Sequence, residues 1–193
     1  MTTFVTLGPE GTDHEYTLRR YLTFQGIPEA RILLVDDLLD GLETVRGTED
    51  CFLLQNTAHP DVATVTERYW AEVRVVDCFV APTKPMAILR RADVPDPRNL
   101  AVMPATVGYL RPGEWPELIS VRAKPLIGQG LLTGRYEAGL THLSWAHENP
   151  DRLVVIERIG PVDTGWLVYG RAVEHRDELT GLVRADLYAS ARS

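Results

Sequence analysis

The order of apolar runs along this 193-residue chain predicts an α/β fold with two lobes and a cleft between them. Over the first seventy residues, short apolar runs alternate with amphipathic segments in the order β-α-β-α-β-α, which favours a parallel sheet covered by helices. A second β-α-β-α-β unit follows between about residues 100 and 142. The two are joined by a long strand, 73–89, that Pro82-Thr83-Lys84-Pro85 interrupts, which is typical of a segment crossing between lobes.

The first lobe opens with the segment 3–16, around which the rest of the chain is organised. Phe4 to Leu7 predicts a strand, residues 8–11 (Gly-Pro-Glu-Gly) predict a tight turn, and Thr12 with Glu15 forms a capping box that begins a helix. The free backbone N–H groups at such a helix N-terminus can bind a carboxylate or a phosphate. The turn could equally be a capped connection without a ligand.

The remaining elements of the first lobe follow from apolar periodicity and turn residues. The first helix ends at Gly26, and a second helix begins at an Asp36 cap and ends at Gly47. Two buried strands at 31–35 and 51–54 flank that helix, and a third helix is expected from about Asp61 to Trp70.

The second lobe is predicted from the same signals. The expected strands are 86–89, 100–103, 119–122, 136–141 and 153–156, and a helix is expected at 125–132. A further strand at 163–169 leads the chain back to the first lobe. Leu179, Leu182, Val183 and Leu187 share one helical face, which predicts a docked helix over 177–189.

Composition excludes several classes of function. The net charge of −7, without a Lys/Arg cluster, argues against a nucleic-acid partner, and the longest apolar runs are too short to span a membrane. Cys51 and Cys78 lie in apolar runs, and the sequence shows no signal peptide. We therefore expect both to be buried free thiols in a cytoplasmic protein. The sequence offers no metal-ligand spacing, nucleotide-binding glycine loop or Schiff-base lysine context, so we expect neither a metal nor an organic cofactor.

Polar residues recur where predicted strands end. These positions are Gly11-Thr12, Asn56-Thr57, Thr83-Lys84, Ala105-Thr106 and Thr141-His142. Ligands of open α/β sheets bind at the carboxyl edge of the strands, and two such edges facing each other form a cleft for a small molecule. Threonine and asparagine are also common helix caps, so some of these positions would have only that role.

The motif residues resemble a known family. The opening 7–12 (Leu-Gly-Pro-Glu-Gly-Thr) resembles that of prephenate dehydratases, whose catalytic domains have a two-lobed fold similar to type 2 periplasmic binding proteins. Gln55-Asn56-Thr57 matches the family's Glu-Asn-Ser/Thr loop. Residues 164–166 (Thr-Gly-Trp) fall where the family carries Thr-Arg-Phe, so Thr164 keeps the threonine thought to be catalytic there.

Three departures from the dehydratases point to a narrower resemblance. Gly165 replaces the arginine, residues 13–16 (Asp-His-Glu-Tyr) replace the Phe-Ser pattern, and we expect a single catalytic domain over 1–193 without an ACT domain. The whole resembles more closely the bacilysin-type prephenate decarboxylases of natural-product pathways, which share a Glu-Tyr pair after the opening, a turn similar to 140–142 and a tryptophan near Trp166. The expected lobes are about 1–78 with 170–193, and about 79–169.

The resemblance implies a carbon–carbon lyase that removes CO2 from prephenate, or a close analogue, and leaves a non-aromatic dihydro-4-hydroxyphenylpyruvate. The alternatives are a divergent prephenate dehydratase, a carbon–oxygen lyase, and a non-catalytic protein that binds aromatic carboxylates. The two reactions differ in where a proton is delivered, and a positioned acid contributes roughly 10²–10⁴-fold, enough to select the branch. The expected partner is a prephenate-like dicarboxylate. Such domains are usually homodimers, although the sequence leaves the oligomeric state open.

Candidate site residues follow from the polar strand ends and the resemblance. The catalytic candidates are Thr164, His142 and Glu10. The substrate-binding candidates are Gly11, Thr12, His14, Asn56, Thr57, Lys84, Thr106, Thr141 and Trp166. Among them we expect His14 to be a neutral hydrogen-bonding group at the helix N-terminus, and Trp166 to pack against the substrate ring. His59, His147 and His175 are expected at the surface.

Overall fold

Two five-stranded mixed sheets form the framework of residues 2–171, the part of the chain that the computed structural model describes. In chain order the elements are β1 (Thr3–Leu7), α1 (Asp13–Phe24), β2 (Arg31–Val35), α2 (Leu38–Gly47), β3 (Cys51–Asn56), α3 (Val62–Arg68), β4 (Val73–Pro82), β5 (Met86–Arg91), β6 (Asn99–Val102), a 3₁₀ helix (Pro104–Tyr109), β7 (Glu117–Ser120), α4 (Lys124–Leu132), β8 (Ala138–His142), α5 (Ser144–Glu148), β9 (Leu153–Gly160) and β10 (Asp163–Arg171).

The first sheet has the order β2-β1-β3-β10-β4. β1 is parallel to β2 and β3, whereas β10 runs antiparallel to β3 and β4. Side chains alternate between the two faces of the sheet, so Val5 and Leu53 pack with Leu42 of α2, whereas Leu54 packs with Leu18 of α1 on the opposite face. This layering places the start of α1 and the end of β3 at the same edge of the lobe.

The second sheet has the order β7-β6-β8-β5-β9. β6 is parallel to β7 and β8, and β5 is antiparallel to β8 and β9. Helix α4 buries Ile127 and Leu131 against Leu89 and Ala101 of this sheet. Its N-terminus therefore lies at the carboxyl edge of β8, where His142 ends the strand.

The chain crosses between the sheets twice, at residues 83–85 and 161–162. These segments lie side by side: the Thr83 N–H donates to the Val162 carbonyl at 3.0 Å, and the Val162 N–H donates to the Thr83 hydroxyl at 3.0 Å. Two lobes joined by paired crossing segments confirm the fold class expected from the sequence.

The boundaries of the two sheets differ from the lobe boundaries expected near residues 78 and 170. β4 and β10 pair along their whole length, from Asp163 opposite Pro82 to Arg171 opposite Val73, so both strands lie in the first sheet. The helix expected at 177–189 and the histidine at 175, expected at the surface, lie outside the described residues.

Two local expectations were wrong. The N-cap of α2 is Asp37 rather than Asp36, since the Asp37 carboxylate accepts from the Leu39 N–H at 2.7 Å. Cys51 and Cys78 are both free thiols, but only Cys51 is buried. Cys78 lies on β4, an edge strand of the first sheet, where apolar residues such as Val80 are also exposed.

The helices in the described part of the chain are too short or too polar to cross a lipid bilayer.

Candidate functional site

A cavity of about 320 Å³ lies between the two lobes and is lined by residues of both. Thr12, Asp13, His14, Asn56 and Thr164 line it from the first lobe, and Thr106, Tyr109, Arg122, Ala123 and Lys124 line it from the second. Both walls are made from strand ends and helix starts. The volume is at the lower end of the range for pockets that bind small molecules.

The opening turn of the chain builds the first-lobe wall. The Thr12 hydroxyl accepts from the Glu15 N–H at 3.3 Å and donates to the Leu7 carbonyl at 3.0 Å. The Glu15 carboxylate accepts from the Gly11 N–H at 2.6 Å rather than from the Thr12 N–H. The cap is therefore present, but the Thr12 hydroxyl donates its hydrogen bond to the protein backbone and not to the cavity.

Asp13, the first residue of α1, ties the two lobes together. One carboxylate oxygen accepts from the backbone N–H of Lys84 in the crossing segment at 2.8 Å. The other forms an ion pair with Lys124 of α4 and lies 3.4 Å from Nε2 of His142, at the end of β8. The side chains of Asp13, Lys124 and His142 are 11%, 7% and 1% exposed, so this cluster is nearly excluded from solvent.

The environment fixes the protonation of Asp13 and His142. Burial raises the pKa of Asp13, but the hydrogen bond with His142 and the charge of Lys124 outweigh it and hold that pKa well below its usual range. Burial also lowers the pKa of His142, although Asp13 opposes this shift. The cluster consequently contains a carboxylate, an ammonium and a neutral imidazole that donates its Nε2–H to Asp13.

His14, the next residue of α1, is a second neutral histidine in the wall. Its Nε2 accepts from the Asn56 N–H at 3.4 Å, and its ring lies edge-on to Trp166, with the centroids 5.2 Å apart. Burial, assisted by the neighbouring His59, lowers the pKa of His14 to about 3. The sequence suggested that His59 lies at the surface. In the structure His59 lines the cavity and is half-buried.

The β3 and β10 strand ends complete the first-lobe wall. The Thr164 hydroxyl donates to Oδ1 of Asn56 at 3.2 Å, and that oxygen also accepts from the Ala58 N–H at 2.8 Å. A Cβ at Gly165 would meet the Thr57 side chain at 3.0 Å. Position 165 therefore faces Thr57, on the opposite side of β10 from the cavity-lining Thr164.

The second-lobe wall is formed around the N-terminus of α4. Its N-cap, Ala123, supplies no side-chain hydrogen bond, and its first turn carries no acidic residue. Within residues 2–171, the backbone N–H groups of Ala123 and Lys124 have no acceptor. This N-terminus faces that of α1, since a Cβ at Gly11 would lie 3.7 Å from Pro125 of α4. Two helix N-termini, which favour anions, therefore converge on one cavity.

An exposed ion pair also bridges the lobes. Arg122, which lines the cavity, donates to the Asp36 carboxylate at 2.5 Å. The two side chains are 54% and 77% exposed, so this pair lies in solvent, unlike the Asp13 cluster.

The predicted site residues fall into three groups. Thr12, His14, Asn56, Thr106 and Thr164 line the cavity. Gly11, Lys84, Thr141 and His142 lie directly behind the lining residues, where the Lys84 ammonium donates to the Gly11 carbonyl at 3.0 Å and the Thr141 hydroxyl donates to the Lys124 carbonyl at 2.7 Å. Glu10, Thr57 and Trp166 do not line it.

The three residues outside the cavity have clear structural surroundings. Glu10 is exposed on the turn, and the Thr57 hydroxyl donates to the Gly165 carbonyl at 3.1 Å. Trp166 is fully buried in the core of the first lobe, where its Nε1–H donates to the Ala81 carbonyl at 3.3 Å. In this structure Trp166 supports His14 and does not present a face to a ligand.

Sequence reasoning missed four charged residues of the cavity: Asp13, Arg122, Lys124 and Asp163. Asp13 was noted only as a departure from a motif, and Arg122-Ala-Lys124 precedes a predicted helix without a recognisable cap. One signal was available in the sequence, since Lys84 and Lys124 are its only lysines. Among the described residues, no group of three or more His, Cys, Asp or Glu side chains is placed to hold a metal ion.

Comparisons with known proteins bear on the fold. No protein-family model matches the chain, and no curated protein matches it either. The chain is similar to the prephenate dehydratase of Arthrobacter aurescens solved with L-Phe, with a TM-score of 0.65 and 19% identity over 92% of this chain and 63% of that one. It is also similar to the prephenate dehydratase of Staphylococcus aureus subsp. aureus Mu50, with a TM-score of 0.59 and 16% identity over 90% and 67% of the two chains.

A third similarity is to a periplasmic domain. The VFT2 domain of Bordetella pertussis BvgS superposes with a TM-score of 0.55 and 12% identity over 88% of this chain and 80% of that one. The chain spans less than two thirds of the length of the Arthrobacter protein. These likenesses establish that the chain has the two-lobed, periplasmic-binding-protein-like fold that solved prephenate dehydratases and periplasmic flytrap domains share.

Proposed function

We propose that the cleft binds prephenate, or a close analogue, and removes its ring carboxylate as CO2 without aromatising the ring. The observation that carries the proposal is the convergence of two helix N-termini, α1 and α4, on a cavity of about 320 Å³. Prephenate has two carboxylates separated by a ring and a short side chain. Each can approach one helix start, where the helix dipole favours negative charge.

The charged side chains support a carboxylate at the second lobe in particular. Helix α1 already has two acidic residues in its first turn, Asp13 and Glu15, whereas the first turn of α4 has none. Arg122 and Lys124 both line the cavity beside α4. The ring carboxylate would therefore be held at the second lobe, in a site that closure of the cleft removes from water.

Retention of the ring hydroxyl is supported by the state of the first-lobe wall. Dehydration needs an acid that protonates the hydroxyl as it leaves. His14, with its pKa lowered to about 3 by burial, is a neutral imidazole. The Thr164 hydroxyl directs its proton to Asn56 and can only accept from a ligand in this arrangement. Neither of these first-lobe groups can act as that acid, which supports a reaction whose proton goes to the ring rather than to the hydroxyl.

The structural similarity to prephenate dehydratases supports a prephenate-related ligand, and natural-product biosynthesis and the cytoplasm remain the expected setting. A dehydratase activity is kept as an alternative because Thr164, the retained motif threonine, lines the cavity. A binding role without catalysis is the second alternative. The similarity to a periplasmic VFT2 domain supports this alternative.

The test is incubation of the purified protein with prephenate, followed by ultraviolet absorbance and proton NMR. Release of CO2 with a non-aromatic product that keeps the hydroxyl is the expected result. Phenylpyruvate would replace the proposal by the dehydratase alternative, and binding without turnover would replace it by the binding protein.

A matched variant shows whether the reaction takes place in the cleft. Ala105 is an exposed residue of the cavity wall, so Ala105→Trp fills the cavity without disturbing a core. Turnover should be lost in this variant while its melting temperature is kept. Undiminished turnover by a folded Ala105→Trp variant would place the reaction elsewhere.

A further inference from the structure

We propose that Lys124 is the proton donor of the decarboxylation and that Asp13 is a positioning residue that holds the Lys124 ammonium at the cavity. This inference rests on the decarboxylation proposed above and assigns the acid that reaction needs.

The distribution of cations along the chain singles out the two lysines. The chain has 20 basic residues, of which 18 are arginine and only Lys84 and Lys124 are lysine. Both contact Asp13, Lys84 through its backbone N–H and Lys124 through its ammonium. An ammonium can give up a proton, whereas a guanidinium keeps its own throughout the physiological range. A cation that must also act as an acid is therefore a lysine rather than an arginine. Of Lys84 and Lys124, only Lys124 lines the cavity.

Hydrogen-bond capacity shows which member of the cluster faces a ligand. Asp13 is bonded mainly to the protein: its two oxygens accept from the Lys84 N–H, the Lys124 ammonium and His142. Lys124 is 93% buried, and its ammonium makes one hydrogen bond within residues 2–171, so two of its three N–H groups have no partner there. Because the Lys124 side chain lines the cavity, these two N–H groups can donate to a molecule bound there.

The other titratable groups on the described cavity wall are poorer donors. His14 and His59 have pKa values lowered by burial, and each ring uses one nitrogen to accept a backbone N–H, from Asn56 and Asp61 respectively. Asp13 stays ionised, and Arg122 does not release a proton. Tyr109 and Asp163 also line the cavity, but both are exposed, whereas Lys124 is buried.

The chemical step balances without a further reactant. The bond between the ring and its carboxylate breaks, CO2 leaves, and the electron pair shifts through the adjacent ring double bond. The far carbon of that double bond takes one proton from the Lys124 ammonium, so a C–H bond forms as an N–H bond breaks. The neutral amine then regains a proton from water. The Asp13 carboxylate does not react, and its charge keeps the ammonium at the cavity wall.

Lys124→Arg separates proton donation from charge. This variant keeps the cation and the ion pair with Asp13, so we expect the Kd for prephenate to stay within threefold while kcat falls by about 100-fold or more, the range of general acid catalysis. The matched control is Arg158→Lys on the exposed face of β9, which should keep both constants. A Lys124→Arg variant that keeps kcat within threefold would overturn the proposal, as would a greater loss of kcat in Tyr109→Phe.

Asp13→Asn tests the positioning role. The amide oxygen can still accept from the Lys84 N–H, but the charge that holds the ammonium is lost. We expect kcat to fall at least tenfold with the Kd for prephenate within threefold. Unchanged kcat would contradict a positioning role, and a change in Kd alone would make Asp13 part of ligand binding.

A measurement on the wild-type protein does not depend on the folding of any variant. In D2O, a donor fixed on one wall of the cleft delivers deuterium to one face of the ring, so NMR should find a single deuterated diastereomer. An even mixture would mean that water protonates the ring after CO2 leaves, and Lys124 would not be the donor. Absence of any CO2 release by the wild type would instead overturn the proposed decarboxylation, and this proposal with it.

Discussion

The two walls of the cleft are built from the same parts, a strand end followed by a helix start, but they differ in what they leave unpaired. On the first-lobe wall the polar side chains bond within the wall: the Thr12 hydroxyl to the backbone of Leu7 and Glu15, and the Thr164 hydroxyl to the Asn56 side chain. On the second-lobe wall Lys124 has N–H groups without a partner in the described chain, and the N-terminus of α4 has no side-chain cap.

The difference indicates a division of labour. A wall whose polar groups are satisfied internally is rigid and supplies shape, whereas unpaired donors gain most from a ligand because burying them without one costs free energy. We therefore expect substitutions on the first-lobe wall to act mainly on stability and those on the second-lobe wall to act mainly on turnover. Asp13 belongs to both, because it is part of the first wall and holds the cation of the second.

The largest expected effect on stability comes from breaking the buried contact between the walls. Asp13→Ala leaves the Lys124 ammonium buried without its partner, which should lower the free energy of unfolding by about 3–5 kcal/mol. Asp36→Ala removes the exposed partner of Arg122 and should cost about 0–1 kcal/mol. Urea unfolding of the two variants measures both. Equal losses would mean that burial does not distinguish the two bridges.

The next largest effect is the pH dependence of the free energy of unfolding that arises from His14 in the first-lobe wall. His14 is held neutral in the folded protein, with a pKa of about 3, but binds a proton below about pH 6.5 when unfolded. The unfolded state therefore binds more protons, so stability falls as the pH decreases from 6.5 towards 3, by about 1 kcal/mol per pH unit for this one group. Urea unfolding at pH 7, 6 and 5 should show a shallower slope for His14→Asn than for the wild type.

The control for that slope is His147→Asn, at an exposed position of α5. The free energy of unfolding of His147→Asn should depend on pH as steeply as that of the wild type, so that only His14→Asn gives a shallower slope. If His14→Asn and the wild type lose stability in parallel, His14 is not held neutral by the fold.

The smallest effect concerns the helix cap of the first-lobe wall. Thr12→Ala removes the hydroxyl that accepts from the Glu15 N–H, and such a loss typically costs about 1 kcal/mol. The hydroxyl donates to Leu7 rather than to the cavity, so we expect the KM for prephenate to change less than tenfold. Thermal unfolding and steady-state kinetics check the two parts. A large rise in KM with unchanged stability would show that the hydroxyl turns to the ligand.

The fold could be predicted from the sequence because its signals are local. The alternation of apolar runs and the capping box fixed the order of the elements, and Pro82 to Pro85 marked the first crossing between lobes. The lobe boundaries were less accessible, because strand pairing along the full length of β4 and β10 depends on contacts between residues about ninety positions apart.

The site was predicted less completely for a physical reason. Residues on the first-lobe wall, such as Thr12 and Asn56, lie in motifs whose turn chemistry can be read locally. The ion pair between Asp13 and Lys124 joins positions 111 residues apart, and nothing in either local sequence indicates it. Trp166 shows the opposite error, since an aromatic residue beside a motif was expected at the ligand but is fully buried in the lobe core.

The most direct test of the division between the walls is a crystal structure of the Lys124→Arg variant with prephenate, in which slow turnover should preserve the ligand. We predict that the ring carboxylate lies within hydrogen-bond distance of the Ala123 backbone N–H at the start of α4, with Asn56 and Thr164 bonded to each other as before. A ligand whose carboxylates contact only first-lobe side chains, with the start of α4 left free, would contradict the account.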